Sequence, residues 1–254
     1  MSAHGNDEPA QPLNPYIPRQ LIWFDTEGRV VCLAEAALSS QPLPAVVLGD
    51  PGMGKTELLR RLAKQPGHHY LTAAQFLRRP LSRVPTGVLL LDALDEVSAG
   101  QDSDPLDRLL LRLAEADSPP FILSCRAADW RGSMQARAIA DDYSRPPRVL
   151  TLQPLSNEEG YCLLEAKLGP PAAREFHSAL MRHGLSDLLS NPQSLGMLLD
   201  VAADGVPEGE EIFSCARHAR WSRSITRPMF NPSSIGSIKT SSLTVLAQPW
   251  RCCC

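Results

Sequence analysis

The octet Gly49-Asp50-Pro51-Gly52-Met53-Gly54-Lys55-Thr56 constrains this chain more than any other stretch. It satisfies G-x-x-x-x-G-K-[ST], the pattern of a phosphate-binding loop, at every fixed position. Its glycines let the backbone curl until successive N–H groups point inward at an anion. The helix N-terminus that follows adds roughly half a positive charge. The flanks agree with this reading. Ala45-Val46-Val47-Leu48 is a short apolar run that predicts a buried strand, and residues 55–64 carry Leu58, Leu59 and Leu62 at helical spacing. All eight residues, Gly49 to Thr56, are therefore candidates for binding a phosphate-bearing cofactor. Lys55 is placed to reach β- and γ-phosphates, and the Thr56 hydroxyl to hold Mg²⁺. The competing account is a glycine-rich turn before a basic helix.

A second element favours the first account. Gly87-Val88-Leu89-Leu90-Leu91-Asp92 is an apolar run that ends in an acid. A carboxylate at the C-terminal end of a buried parallel strand sits beside the phosphate loop, where it can hold the water shell of Mg²⁺. Asp92 thus joins Thr56 as a metal candidate. The acid belongs to a longer phrase, Leu89-Leu90-Leu91-Asp92-Ala93-Leu94-Asp95-Glu96. This resembles the Walker B box of NACHT-type NTPases, in the STAND branch of the P-loop fold. That box has four apolar residues, Asp, a small residue, an apolar residue and two acids. AAA+ ATPases place the catalytic acid directly after the Walker Asp, where this chain has Ala93. The resemblance implies catalytic roles for Asp95 and Glu96, with Asp95 favoured by its position in the box. The bland account is a strand followed by a solvated acidic turn.

Two further stretches carry the same resemblance. Phe121-Ile122-Leu123-Ser124-Cys125-Arg126 is similar to the sensor 1 strand of NACHT proteins, which implies that Arg126 lies near the γ-phosphate. Ala127 stands where the family usually has proline, and an arginine paired with a surface acid is the plainer account. Asn191-Pro192-Gln193-Ser194-Leu195 resembles the helix start whose proline lies against adenine, although proline in a first helical turn is also simply a good start.

The expected fold is α/β: a P-loop NTPase three-layer sandwich with a mostly parallel sheet, followed by a small helical domain. The expected divisions are a disordered stretch over 1–15, a nucleotide-binding domain over 16–155, a helical domain over 156–205 and an irregular tail over 206–254. Residues 21–24 form an apolar patch expected to pack on the domain. Residues 30–38 read as a short helix ended by Ser39-Ser40-Gln41-Pro42. Strands are expected at 69–72 and 148–152, and helices at 73–79, 104–116, 157–168, 171–182 and 193–202. Ser156 and Glu159 form a capping box for one of these helices. His68 and His69 come at the start of the 69–72 strand; two adjacent histidines cannot face one metal from the same side of a strand, so they read as ordinary polar residues.

Composition sets outer bounds. A formal charge of −3 over 254 residues gives no bulk electrostatic pull toward nucleic acid. No apolar run reaches the roughly 18 residues of a membrane helix. The polar N-terminus lacks the apolar core of a secretion signal, so a cytoplasmic location is expected. The seven cysteines lack paired C-x-x-C spacing and read as reduced thiols. After Phe213 no helical or strand periodicity persists. Either this tail is disordered, or the coding frame was lost near residues 212–219; one back-translation permitted by the codon choices reads, in a shifted frame, as amphipathic helical sequence. Independent sequencing of the gene decides between them.

The resemblance implies a switch that binds ATP with Mg²⁺ and hydrolyses it slowly, with ATP and ADP as partners and self-association through the nucleotide domain. No guanine-reading Asn/Thr-Lys-x-Asp phrase is present, which favours ATP over GTP. An AAA+-type mechanical ATPase and a non-catalytic, nucleotide-stabilised interaction scaffold are the alternatives. No sensor or winged-helix region is read after the helical domain, and no effector before the loop.

Overall fold

The computed structural model describes residues 16–97 and 104–202. The readings of 1–15 as disordered and of 206–254 as an irregular, out-of-frame tail lie outside the described residues. Seven strands form one sheet: β1 (Gln20–Phe24), β2 (Val30–Ala34), β3 (Ala45–Leu48), β4 (His68–Thr72), β5 (Val88–Asp92), β6 (Phe121–Cys125) and β7 (Arg148–Leu152). Their order is β2-β1-β7-β3-β6-β5-β4. The five strands from β7 to β4 run parallel. β1 pairs antiparallel with both β2 and β7.

The described residues also form seven α-helices: α1 (Lys55–Leu62), α2 (Ala73–Arg78), α3 (Pro105–Glu115), α4 (Ser133–Tyr143), α5 (Asn157–Leu168), α6 (Pro170–Arg182) and α7 (Pro192–Ala202). Alternation along the strands divides the core into two layers. Val46, Leu48, Leu89, Leu91, Phe121 and Leu123 face α2, α3 and α4. Ala45, Val47, Leu90, Ile122 and Leu150 face α1 and Leu38. Both faces are covered, as a parallel sheet requires. The result is a three-layer α/β sandwich. Leu155 and α5 to α7 gather around a separate apolar cluster that includes Leu164, Phe176, Leu180 and Leu195.

β3 lies between β6 and β7. The chain leaves β3 toward β4 on one side, and β7 takes the other side, so the strand order reverses at β3. Ligands of such sheets bind outside the carboxyl ends of the strands at this reversal. The phosphate loop begins there. With the loop strand flanked by the β6 and β7 strands and β5 next to β6, the architecture is the P-loop NTPase fold.

One expectation needs correction, and one helix had none. Residues 30–38 are not a helix: β2 is followed by a 3-10 turn over Glu35–Ser40. Val30, Val31, Cys32 and Leu33 fit an extended ladder with β1, closed by the Asp25 carboxylate. That carboxylate accepts from the Glu27 and Arg29 N–H groups and from the Arg29 guanidinium. Helix α4 carried no legible stripe, because it buries only Gln135 and Ile139. Among the described residues no helix is long and apolar enough to cross a membrane.

The entry to β5 depends on one backbone crossing. Gly87 has φ +123°, and a Cβ there would lie 2.3 Å from the Gly67 carbonyl oxygen. That same oxygen accepts the Val88 N–H at 2.8 Å. Gly87→Ala is therefore predicted to lower unfolding free energy by about 2–4 kcal/mol, from backbone clash and left-handed strain. Urea denaturation checks this; a midpoint equal to wild type would contradict it.

Candidate functional site

The loop is shaped by two left-handed glycines, Gly52 at φ +77° and Gly54 at φ +90°. A side chain at Gly54 would meet nothing within 4 Å, so the backbone there faces an open cradle. Met53 is buried in the α1 layer and anchors the loop from below. Gly54 also caps α1, with the Leu58 N–H donating to its carbonyl at 3.0 Å. Lys55 folds back across the loop, its Nζ donating to the carbonyls of Gly49 at 2.7 Å and Asp50 at 3.1 Å. Burial lowers the Lys55 pKa; the nearby Asp95 and Asp92 carboxylates pull it up again, against Arg126. Thr56 is half-buried at the start of α1.

Asp92 ends β5 and is almost fully buried. Its carboxylate accepts Ser124 Oγ–H at 2.5 Å on Oδ1 and the Tyr70 phenol at 2.8 Å on Oδ2. Ala93 next to it adopts left-handed backbone, φ 57°, and donates its N–H to Ser124 Oγ at 2.9 Å. Such strain in a non-glycine residue is held in place by its surroundings. Here it turns the chain away from the sheet into a short 3-10 turn containing Asp95 and Glu96.

Asp95 is 6% exposed at its side chain, and its Oδ2 pairs with Arg126 Nε at 2.5 Å. Its other oxygen, Oδ1, is buried without a hydrogen-bond partner. Glu96 is exposed. Arg126 directly follows β6 and so meets an acid of this turn, not a distant surface acid. A cleft of about 620 Å³ opens beside the turn, lined by Asp95, Glu96, Asp104, Cys125 and Asp129 among others. Burial pushes the Cys125 thiol up to about 12, leaving it protonated and inert as a nucleophile. Among the described residues no cluster of three or more acids, histidines or cysteines is arranged for a metal by itself. His68 and His69 bond instead to the carbonyls of Pro66 and Thr86.

Pro192 starts α7, and its two neighbours touch the loop. Asn191 donates from Nδ2 to the Pro51 carbonyl at 3.0 Å, while its Oδ1 accepts the N–H groups of Gln193 and Ser194. Gln193 in turn donates its N–H to the Gly52 carbonyl at 3.2 Å. Asn191 thus caps a helix and ties it to the phosphate loop. Residues 16–19 also pack here: Tyr16 donates to Glu35 at 2.6 Å, Arg19 donates to the Gln153 carbonyl, and Ile17 lies against the helical cluster.

The sequence reading missed Tyr70, Ser124 in its role toward Asp92, and Asn191. Tyr70 bore no signal beyond being a tyrosine within a strand. Asn191 had one, since Asn is a preferred helix cap and here stands directly before a proline suited to a first helical turn.

Neither a family model nor a curated protein matches the chain. Several solved structures are similar to it. The replication initiator DnaA bound to AMPPCP and single-stranded DNA aligns at 19% identity and TM-score 0.45, covering 75% of this chain and 62% of that one. Domain III of DnaA from Thermotoga maritima aligns at 15% identity and TM-score 0.44, covering 69% and 84%. A mutant of Thermotoga maritima RuvB aligns at 17% identity and TM-score 0.42, covering 67% and 58%. The chain therefore spans less than two thirds of the first and third of these. The fold assignment rests on strand order and the loop, independently of these superpositions.

The contact between loop and α7 leaves no room at Gly52. A Cβ there would come within 2.5 Å of Gln193 Oε1 and 2.8 Å of Asn191 Oδ1. Gly52→Ala is predicted to release α7 from the loop, at a cost of about 1–3 kcal/mol. Hydrogen exchange should rise at the amides of residues 193–195 and stay low in β5 and β6. Unchanged protection at 193–195 would contradict the assignment.

Proposed function

We propose that the chain binds ATP with Mg²⁺ and hydrolyses it slowly, as the nucleotide-controlled switch module of a NACHT-like STAND NTPase. One observation carries this: the end of the loop strand brings Lys55, Asp92, the Asp95–Arg126 pair and the start of α7 to one edge of the sheet. The donor types fit the ligand. A glycine cradle with a helix N-terminus suits phosphate, and a threonine hydroxyl with a carboxylate suits a hard divalent cation. Bound Mg²⁺ would neutralise charge building on the β- and γ-phosphate oxygens.

Each residue then has a defined task. Lys55 exchanges its two backbone carbonyls for phosphate oxygens, a charge-assisted contact that offsets its burial. Thr56 and Asp92 hold the metal and its waters. Asp95 has one oxygen held by Arg126 and one unpartnered, which suits a base that orients a water molecule. Glu96 is exposed and is the weaker candidate. Arg126 is placed to exchange the Asp95 carboxylate for a γ-phosphate and so to report its presence. The tie of Asn191 and Gln193 to the loop carries that report into the helices, with Pro192 on the nucleotide side of the helix start. Change of nucleotide state then moves α5 to α7 and governs self-association through the nucleotide domain.

The test separates binding from turnover. Lys55→Ala is predicted to weaken ATP binding at least about tenfold, or 1.4 kcal/mol. Asp95→Asn is predicted to keep binding and lose most turnover, with Glu96→Gln less affected. Calorimetry and phosphate release measure the two quantities. Wild-type affinity in Lys55→Ala would overturn the assignment of the loop, and wild-type turnover in Asp95→Asn would overturn that of the base.

A further inference from the structure

The Asp92 carboxylate is gripped from both neighbouring strands. Ser124 on β6 donates to Oδ1 and Tyr70 on β4 donates to Oδ2, at 2.5 Å and 2.8 Å. β5, which carries Asp92, lies between those strands. Tyr70 sits opposite Leu90 in the ladder, two residues before the level of Asp92, so its phenol reaches along the strand toward the acid. On its other side the ring lies 5.4 Å from the guanidinium carbon of Arg60. Arg60 follows Thr56 by four residues in α1, about one helical turn. Tyr70 therefore spans the two elements that carry the candidate metal residues, α1 and β5.

A half-buried tyrosine needs a partner for its hydroxyl, and any acceptor would serve that need. The acceptor here is the acid at the mouth of the phosphate loop, and its second oxygen is fixed by another hydroxyl. Two such bonds leave a carboxylate with lone pairs to spare, because its two oxygens offer about four sites. They remove its freedom to rotate. Packing alone would be met by phenylalanine at this position.

We propose that Tyr70 is a positioning residue for the metal-shell carboxylate Asp92, acting with Ser124 to hold both oxygens in the orientation that the Mg²⁺ water shell requires. This rests on the nucleotide reading above. Partners that orient a metal-site residue typically contribute a factor of ten or more to metal affinity.

The test is Tyr70→Phe in the full chain, titrated by calorimetry with a non-hydrolysable ATP analogue in Mg²⁺ and again in EDTA. Phenylalanine keeps the ring and its stacking on Arg60, and removes only the O–H. Affinity in Mg²⁺ should fall about tenfold, while affinity in EDTA and the nucleotide-free melting temperature should match wild type. Unchanged affinity in Mg²⁺ would overturn the proposal and leave the nucleotide reading standing. An equal loss in EDTA, or a lowered nucleotide-free melting temperature, would overturn it too, by making the role one of packing. Wild type that binds no better in Mg²⁺ than in EDTA would overturn both this proposal and the assignment of Asp92.

Discussion

Burial of β3 on both faces, between β6 and β7, is the constraint on which the site depends. A strand held this way has a fixed C-terminal end, and the glycine loop starts at that end. The same parallel ladder sets the ends of β5 and β6 beside it. Asp92 and Arg126 are therefore placed by the apolar residues of the strands that precede them. The left-handed Ala93 then turns the chain so that Asp95 meets Arg126.

Electrostatics at this edge are balanced with little slack. Lys55 loses water on burial and is compensated by carboxylates that are themselves already engaged. Asp95 is held by Arg126 through one oxygen, with the other unsatisfied. A buried charge that loses one partner costs several kcal/mol unless another replaces it. On the proposed reading, a bound phosphate would supply such a partner to Lys55. The bonds from Asn191 and Gln193 to the carbonyls of Pro51 and Gly52 tie the same loop to α7, and the proposed switch would act through them.

Legibility in the sequence followed the range of the interactions. The loop was readable because its chemistry lies within eight consecutive residues. Asp92 was legible as an acid that closes an apolar run, whereas Asp95 and Arg126 were singled out by the resemblance of their stretches to NACHT boxes. Tyr70 was not, because its role exists only through a bond to a residue 22 positions away. Asn191 was legible at most as a cap; its tie to the Pro51 carbonyl spans 140 positions, which no local pattern encodes. Residues 30–38 were misread because a five-residue apolar run has too little length to separate strand from helix, and the pairing with β1 decided it. Helix α4 was missed because its inward face mixes types that make no apolar stripe: Gln135 and Ile139 are buried, and Ala138 and Tyr143 pack partly exposed against the core.

The central claim is that this edge of the sheet holds an adenine nucleotide. The most direct measurement is denaturing extraction of nucleotide from purified protein, with chromatography to identify base and phosphorylation state, backed by ATP titration of the stripped protein. The account predicts ADP or ATP at close to one per chain, or saturable Mg-ATP binding by the stripped protein. A guanine nucleotide in the extract, or no binding at millimolar Mg-ATP by folded protein, would contradict it.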